Sequence, residues 1–168
     1  NKIMDIGTGA GFPGVPLKIA FPHLEACLLD SLKKRVNFLE ETFELLKLED
    51  ITAIHGRAEE FAKNKVYREQ YDLCVSRAVS NLATLSEYCL PYVKVGGHFI
   101  SYKSGTVQEE LQQAEKAVKI LGGKIQDVVY FNLPDSEIQR SLVVIEKIKT
   151  TPGRYPRKAG TPLKEPLA

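Results

Sequence analysis

The chain has 168 residues, a formal net charge of +2, 43% hydrophobic residues and 26% charged residues. This length suits one domain with a full hydrophobic core, and the composition is that of an ordinary water-soluble globular protein. No apolar run approaches the ~20 residues of a membrane-spanning helix, so we expect a cytoplasmic protein with no membrane partner. Three cysteines without Cys-x-x-Cys spacing argue against a disulfide framework and against a zinc or other metal site.

Positive charge is concentrated at the C-terminal end. From residue 147 onward there are six basic residues and one acidic residue, so the rest of the chain is net negative. Four prolines after residue 150 favour an extended backbone over a helix. We therefore divide the chain into a main domain, residues 1–149, and a basic, proline-rich C-terminal segment, residues 150–168. A merely solvated end is the alternative for such a segment.

The most informative motif is a glycine-rich run, Asp5–Gly14, which follows the apolar strand Lys2–Ile6 and precedes an apolar stretch. Clustered glycines let a ligand approach the backbone closely. The run matches the dinucleotide fingerprint Gly-x-Gly-x-x-Gly, in which a pyrophosphate lies on a helix N-terminus. However, Asp5 at the end of the strand suits a ligand with an ammonium and a sulfonium group better, which indicates S-adenosylmethionine. A turn without a ligand is the third possibility.

A second acidic residue supports the ligand-binding interpretation. The apolar strand Leu24–Asp30 ends in a carboxylate roughly 20 residues beyond the glycine-rich run, where such sites place the acid that binds a ribose hydroxyl. Asp30 could instead cap the following helix, but Ser31 could cap it equally well. We assign Asp30 to the cofactor.

The remaining pattern predicts an α/β fold. Strands that alternate with helices give way to two consecutive strands near the end, which implies a mostly parallel, seven-stranded sheet with a terminal antiparallel hairpin. The chain has no room for the second mononucleotide-binding unit of a dinucleotide enzyme. Its layout of strand-helix steps and a terminal hairpin resembles the Rossmann-like fold of class I S-adenosylmethionine-dependent methyltransferases, which we predict here. The predicted elements after Asp30 are a helix from 32 to 46, strands Ile51–His55 and Tyr71–Ser76, a helix from 81 to 92, strand Val95–Tyr102, a helix from 107 to 121, and strands Lys124–Leu133 and Ser141–Ile148.

Five motifs together resemble the bacterial RsmG (GidB) family: Asp5–Gly14, Leu29–Arg35, Gly56–Glu60, Ser76–Val79 and Tyr155–Pro162. The resemblance implies methylation of guanine N7 in small-subunit (16S) ribosomal RNA, with S-adenosylmethionine as cofactor and the RNA or a 30S-type particle as partner. The domain of residues 1–149 is then the methyltransferase domain. Members carry a helical segment before the first strand, and because Asn1 lies almost at that strand we expect that the natural N-terminal segment is absent here.

The family pattern also implies particular cofactor contacts. Gly7 and Phe12 match cofactor-contacting positions, Ala58 and Glu59 match positions around the adenine, and Arg77 matches an arginine that lines the cofactor and substrate pocket. Combined with the loop and Asp30, the predicted cofactor-binding residues are Asp5, Gly7, Gly9, Gly11, Phe12, Asp30, Ala58, Glu59 and Arg77.

Ribosomal RNA is predicted to contact basic residues at two places. Arg77 and Lys103 each follow a strand of the predicted sheet, and Lys103 could meet an RNA phosphate. In the C-terminal segment, Arg154, Arg157 and Lys158 offer phosphate contacts and Tyr155 a stacking surface.

The sequence lacks the residues that other methyl transfers need. After the fourth predicted strand there is no Asn/Asp-Pro-Pro-aromatic motif for amino methylation, and Cys74 lies inside an apolar strand, where it fits poorly as a nucleophile. Guanine N7 has a free lone pair, so we predict transfer by proximity without a catalytic general base. The alternatives are a non-catalytic RNA-binding or assembly module and a small-molecule methyltransferase. No long heptad pattern is present, and we expect a monomer.

Overall fold

The computed structural model describes residues 1–78 and 80–168; Val79, in the motif Ser76–Val79, lies outside the described residues. The strands are β1 Lys2–Ile6, β2 Glu25–Asp30, β3 Ile51–His55, β4 Tyr71–Ser76, β5 Val93–Ser104, β6 Gly123–Asn132 and β7 Gln139–Lys147. The helices are α1 Gly14–Ala20, α2 Lys33–Leu45, α3 Ala58–Phe61, α4 Leu82–Cys89, α5 Gln108–Ile120 and α6 Thr161–Lys164, and a 3-10 turn lies at Leu90–Tyr92.

The strands form one seven-stranded sheet in the order β3-β2-β1-β4-β5-β7-β6. The first five pair in parallel, and β7 lies antiparallel between β5 and β6. This confirms the predicted mostly parallel sheet with its terminal hairpin. The carboxyl ends of β1 to β5 therefore meet at one edge, and the antiparallel register brings the start of β7 there too, with Arg140 opposite Ser104.

Both faces of the sheet are covered, because alternate residues of a strand point to opposite faces. On one face, Ala26 and Leu28 of β2 pack with Val15 and Leu39 from the α1 and α2 side. On the other face, a larger core joins β1, β4 and β5 to α4 and α5 and contains the buried cysteines, Cys27, Cys74 and Cys89. No helix in the described part of the chain is long and apolar enough to cross a bilayer.

The C-terminal segment packs against the larger core. Tyr155 is only 8% exposed and belongs to that core. The prediction of an extended backbone is wrong for Thr161–Lys164, which form the helical turn α6. Pro162 is tolerated there because it lies in the first turn, where its missing N–H costs no intrahelical hydrogen bond.

Candidate active site

The buried carboxylate of Asp5 fixes the conformation of the glycine loop, residues 5–14, through hydrogen bonds. Asp5 is fully buried, and its Oδ2 accepts hydrogen bonds from Thr8 Oγ1 at 2.6 Å and from the Gly14 amide at 2.9 Å. Burial raises the pKa of this carboxyl to about 7. Its Oδ1 has no hydrogen-bond partner among the described residues. The structure thus places Asp5 beneath the loop, where its carboxylate braces the turn.

The glycines of the loop have different roles. Gly9 has a φ of +61° and a Cβ there would meet nothing within 4 Å, so the backbone is open to a ligand at this point. Gly11 has a φ of +100°, but its Cβ would lie 2.7 Å from Val15 Cγ2 and 2.9 Å from Leu39 Cδ2. Gly11 is therefore required for packing of the loop against α1 and α2, not for approach of a ligand. The exposed Gly7 is anchored by its amide, which donates to Leu29 O at 2.9 Å.

Asp30, at the end of β2, connects the loop to the next helix. Its Oδ2 accepts from the Gly9 amide at 2.9 Å, and its Oδ1 accepts from the Leu32 amide at 3.0 Å just before α2. Arg35 Nη1 lies 3.5 Å from Oδ2. Ser31, which the sequence offered as an alternative cap, does not cap α2, because the residue at the N-cap position is Leu32, without a side-chain cap. Asp30 is 2% exposed, and both of its carboxylate oxygens accept hydrogen bonds from backbone amides. It therefore holds the glycine loop at the carboxyl edge of the sheet.

The turn after β3 lies beside Asp30. The Gly56 amide donates to Asp30 O at 3.0 Å, and two residues later Ala58 O accepts from Tyr92 Oη at 2.6 Å. Glu59 is 2% exposed, and its Oε1 accepts from the Gly160 amide at 3.0 Å. The ends of β1, β2 and β3 are thus joined by hydrogen bonds, but the Glu59 carboxylate is directed toward the C-terminal segment rather than toward an open site.

A cleft of about 1270 Å³ opens on the other side of the glycine loop. Phe12 is 45% exposed, and the exposed Arg77 places its guanidinium carbon 5.3 Å from the centroid of the Phe12 ring. Both residues line the cleft, together with Lys103, Arg140 and Ser141. The structure therefore brings Phe12 and Arg77 together, and it adds Arg140, which sequence reasoning missed. The antiparallel register of a terminal hairpin could have revealed Arg140, because it returns the start of β7 to the functional edge.

Lys103 is in the cleft but is not a free cation. Its Nζ lies 2.7 Å from Glu110 Oε1 and also donates to Ser80 O, and the side chain is only 11% exposed. The prediction that Lys103 meets an RNA phosphate is corrected, because Glu110 neutralises its charge. The sequence analysis did not identify Glu110 as the partner of Lys103, because nothing near Glu110 in the sequence indicates which cation it contacts in the fold.

The four predicted RNA-binding residues of the C-terminal segment divide into two pairs. Arg154 and Lys158 are exposed. Tyr155 is buried, and Arg154 lies over its ring at 5.2 Å, so no face of Tyr155 is open for a base to stack on. Arg157 donates to the fully buried Glu87 from its backbone N and from Nη2, both at 2.8 Å. Tyr155 and Arg157 therefore have structural roles in this conformation, which corrects their assignment to RNA.

The family model described as rRNA small subunit methyltransferase G matches residues 1–143. Two curated relatives carry the name Ribosomal RNA small subunit methyltransferase G, from Clostridium novyi (strain NT) and Lachnoclostridium phytofermentans. They are 56% and 57% identical over 167 residues, which is 99% of this chain and 69% of each relative. The chain belongs to the rRNA small subunit methyltransferase G family. The resemblance read from the five motifs is thereby confirmed, and so is the class of enzyme.

A solved structure extends the comparison at the level of the fold. M. jannaschii TYW2, determined in complex with AdoMet, superposes with a TM-score of 0.66 at 13% identity, over 88% of this chain and 69% of that protein. At this identity the likeness shows the fold alone.

Proposed function

We propose that this chain transfers a methyl group from S-adenosylmethionine to N7 of a guanine in small-subunit (16S) ribosomal RNA. The observation that carries the proposal is the junction at the carboxyl edge of the sheet. There, the glycine loop, Asp30 and the turn after β3 are joined by hydrogen bonds, next to a cleft that presents Arg77. Membership of the rRNA small subunit methyltransferase G family supports the type of reaction and the substrate.

The residues at this edge fit a cationic methyl donor. Asp5 Oδ1 is a buried acceptor without a partner among the described residues, and burial raises the pKa of the carboxyl to about 7. A positive charge nearby stabilises such a carboxylate, whereas a pyrophosphate would raise its pKa further. The open backbone at Gly9 and the adjacent Asp30 complete a set that would hold S-adenosylmethionine.

Phe12 and Arg77 are suited to hold the target base in the cleft. The Phe12 ring offers an apolar surface beside the glycine loop, and the Arg77 guanidinium is exposed next to it. Arg77 and Arg140 supply positive charge for the RNA backbone, and exposed Arg154 and Lys158 extend that charge along the C-terminal segment. We propose that Arg77, Arg140, Arg154 and Lys158 carry the electrostatic part of RNA binding.

The chemistry at the acceptor requires no proton transfer before attack. S-adenosylmethionine supplies a methyl group made electrophilic by its sulfonium. N7 of guanine is a hydrogen-bond acceptor with a lone pair in the ring plane, so no base has to deprotonate it. Among the described residues that line the cleft there is no histidine. The contribution of this chain is to hold donor and acceptor in an aligned, close geometry.

We further propose that the protein acts in the cytoplasm as a monomer on ribosomal RNA or a 30S-type particle.

The test of the proposed methylation is to map N7-methylguanine in 16S RNA from cells that lack the gene and from the same cells supplied with the natural protein or with its Arg77→Ala variant. The proposal predicts one modified guanine that disappears with the gene, returns with the natural protein and returns weakly with the variant. An unchanged N7-methylguanine pattern in the cells that lack the gene would refute it.

A further inference from the structure

Polar side chains, partly buried at the beginning and fully buried in the middle, hold the C-terminal segment. At the beginning, the Thr151 amide donates to Glu69 Oε1 at 2.8 Å, and Arg68 Nη2 donates to Thr151 O at 2.9 Å. In the middle, the fully buried Glu87 accepts from the backbone and the guanidinium of Arg157. The segment therefore has a fixed path across the domain and is not a flexible extension.

A third contact reaches the candidate active site. The Gly160 amide donates to Glu59 Oε1 at 3.0 Å, and Glu59 is 2% exposed. Gly160 has a φ of +87°, in the left-handed region that favours glycine, and this turn presents its amide to the carboxylate just before α6. Thr84 Oγ1 donates to Pro162 O at 3.0 Å and fixes the following residues.

Glu59 lies in α3, and this helix begins two residues after Gly56, whose amide donates to Asp30 O at 3.0 Å. Asp30 in turn accepts from the Gly9 amide at 2.9 Å. A short path of hydrogen bonds and backbone therefore runs from Gly160 through the turn after β3 to the glycine loop. Arg57 Nη2 lies 3.7 Å from the same Oε1, so among the described residues the Gly160 amide is the one hydrogen-bond donor to this carboxylate. Displacement of that amide lets the carboxylate shift, and the turn that carries it shifts with it.

We propose that Gly160 is a positioning residue for the cofactor: its amide fixes the Glu59 carboxylate and, through it, the turn beside Asp30, so that the C-terminal segment sets the affinity for S-adenosylmethionine. The inference rests on the proposed function, because it assumes that the cofactor binds at this edge of the sheet. It gives the segment a role in cofactor binding in addition to any contact that its exposed Arg154 and Lys158 make with RNA.

The chain offers a matched pair of glycines for the test. A Cβ at Gly160 or at Gly153 would meet nothing within 4 Å, but only Gly160 has a left-handed φ. Gly160→Ala therefore strains the turn without a steric clash, while Gly153→Ala changes the same segment without that strain. Gly160→Asn is the conservative variant, since Asn tolerates the left-handed region better than other side chains do.

The measurement is a calorimetric titration of S-adenosylmethionine into the unsubstituted chain and the three variants. We expect Gly160→Ala to weaken binding about tenfold at unchanged stoichiometry, Gly160→Asn to restore most of the affinity, and Gly153→Ala to bind like the unsubstituted chain. Equal affinities of Gly160→Ala and Gly153→Ala would overturn the inference. So would a lower stoichiometry of Gly160→Ala at unchanged affinity, because that indicates partial unfolding. A failure of the unsubstituted chain to bind would instead overturn the proposed function, and this inference with it.

Discussion

Two buried carboxylates, Asp5 under the glycine loop and Glu87 under the C-terminal segment, are satisfied to different degrees. Glu87 receives hydrogen bonds from the backbone and the guanidinium of Arg157, so its charge is compensated within the protein. Asp5 receives two hydrogen bonds from neutral donors, both on one oxygen, and keeps the other oxygen without a partner among the described residues. A buried carboxylate that lacks a cation keeps a raised pKa, and a positively charged ligand bound near it would stabilise its ionised form.

The largest expected effect tests the uncompensated charge. Because burial raises the pKa of Asp5 from 3.8 to about 7, the folded protein binds more protons than the unfolded chain between these pH values. The stability that Asp5 contributes is therefore present below about pH 4 and is lost as the pH rises to about 7. Relative to Asp5→Asn, which does not titrate, the free energy of unfolding should fall by about 4 kcal/mol over this window.

Urea unfolding of the cofactor-free chain at pH 4.5 and 7.5 captures most of this difference, about 3 kcal/mol. If the free energy of unfolding had the same pH dependence in the unsubstituted chain and in Asp5→Asn, the pKa of Asp5 would not be raised. Its charge would then be compensated by an interaction that the structure does not contain. The comparison with Glu87 would then lose its basis.

The next effect concerns the compensated charge. Arg157→Leu leaves Glu87 buried without its cation, and we expect the free energy of unfolding to fall by about 3 kcal/mol. Lys158→Leu, at the exposed neighbouring position, is the control and should change stability by no more than about 0.5 kcal/mol. Adding Glu87→Leu to Arg157→Leu should recover part of the loss. Similar stabilities of Arg157→Leu and Lys158→Leu would argue that Arg157 is free for another partner.

A smaller effect separates two glycines within the loop. Gly9→Ala introduces only the strain of a left-handed φ, for which we expect a loss of about 1 kcal/mol. Gly11→Ala adds the close contacts of its Cβ with Val15 and Leu39, and we expect about 3 kcal/mol in total. Both values come from chemical unfolding under identical conditions. An equal loss in the two variants would mean that Gly11 is not a packing glycine.

The smallest effect concerns RNA. Replacing the exposed Arg154 or Lys158 by Gln should weaken binding of a 16S RNA fragment a few-fold and lower the slope of log affinity against log salt by about 0.7 to 0.9 per lost phosphate contact. Lys103→Gln should leave this slope unchanged, because Glu110 already neutralises that lysine. Filter binding at several salt concentrations measures the slopes. If the slope decreased for Lys103→Gln and not for the Arg154 and Lys158 variants, Lys103 would be an RNA-binding residue as first predicted. The predicted RNA contacts of the C-terminal segment would then be refuted.

Features with a local cause could be predicted from the sequence. An apolar run encodes the strand from Lys2 to Ile6, and glycines encode the turn after it, because they adopt positive φ values that other residues rarely adopt. Both elements appear where the sequence indicates. The terminal hairpin follows from two consecutive strand patterns without a helix between them. In each case the information lies within a few residues of the element.

Features with a distant cause could not be predicted. Arg157 and Glu87 are 70 residues apart, and nothing near Arg157 distinguishes it from the exposed Lys158 beside it. Lys103 resembles a free cation at a sheet edge until α5 brings Glu110 to it. The sequence identifies a charged residue, but whether its charge is compensated depends on which partner the tertiary fold supplies.

The central claim is that the carboxyl edge of this sheet holds a cationic methyl donor. Titration of the chain with S-adenosylmethionine and, separately, with nicotinamide adenine dinucleotide tests it most directly, with Asp30→Ala as the variant that removes the carboxylate bound to the Gly9 amide. We predict binding of S-adenosylmethionine that Asp30→Ala weakens at least tenfold, and no binding of the dinucleotide. Binding of the dinucleotide without binding of S-adenosylmethionine would contradict the account.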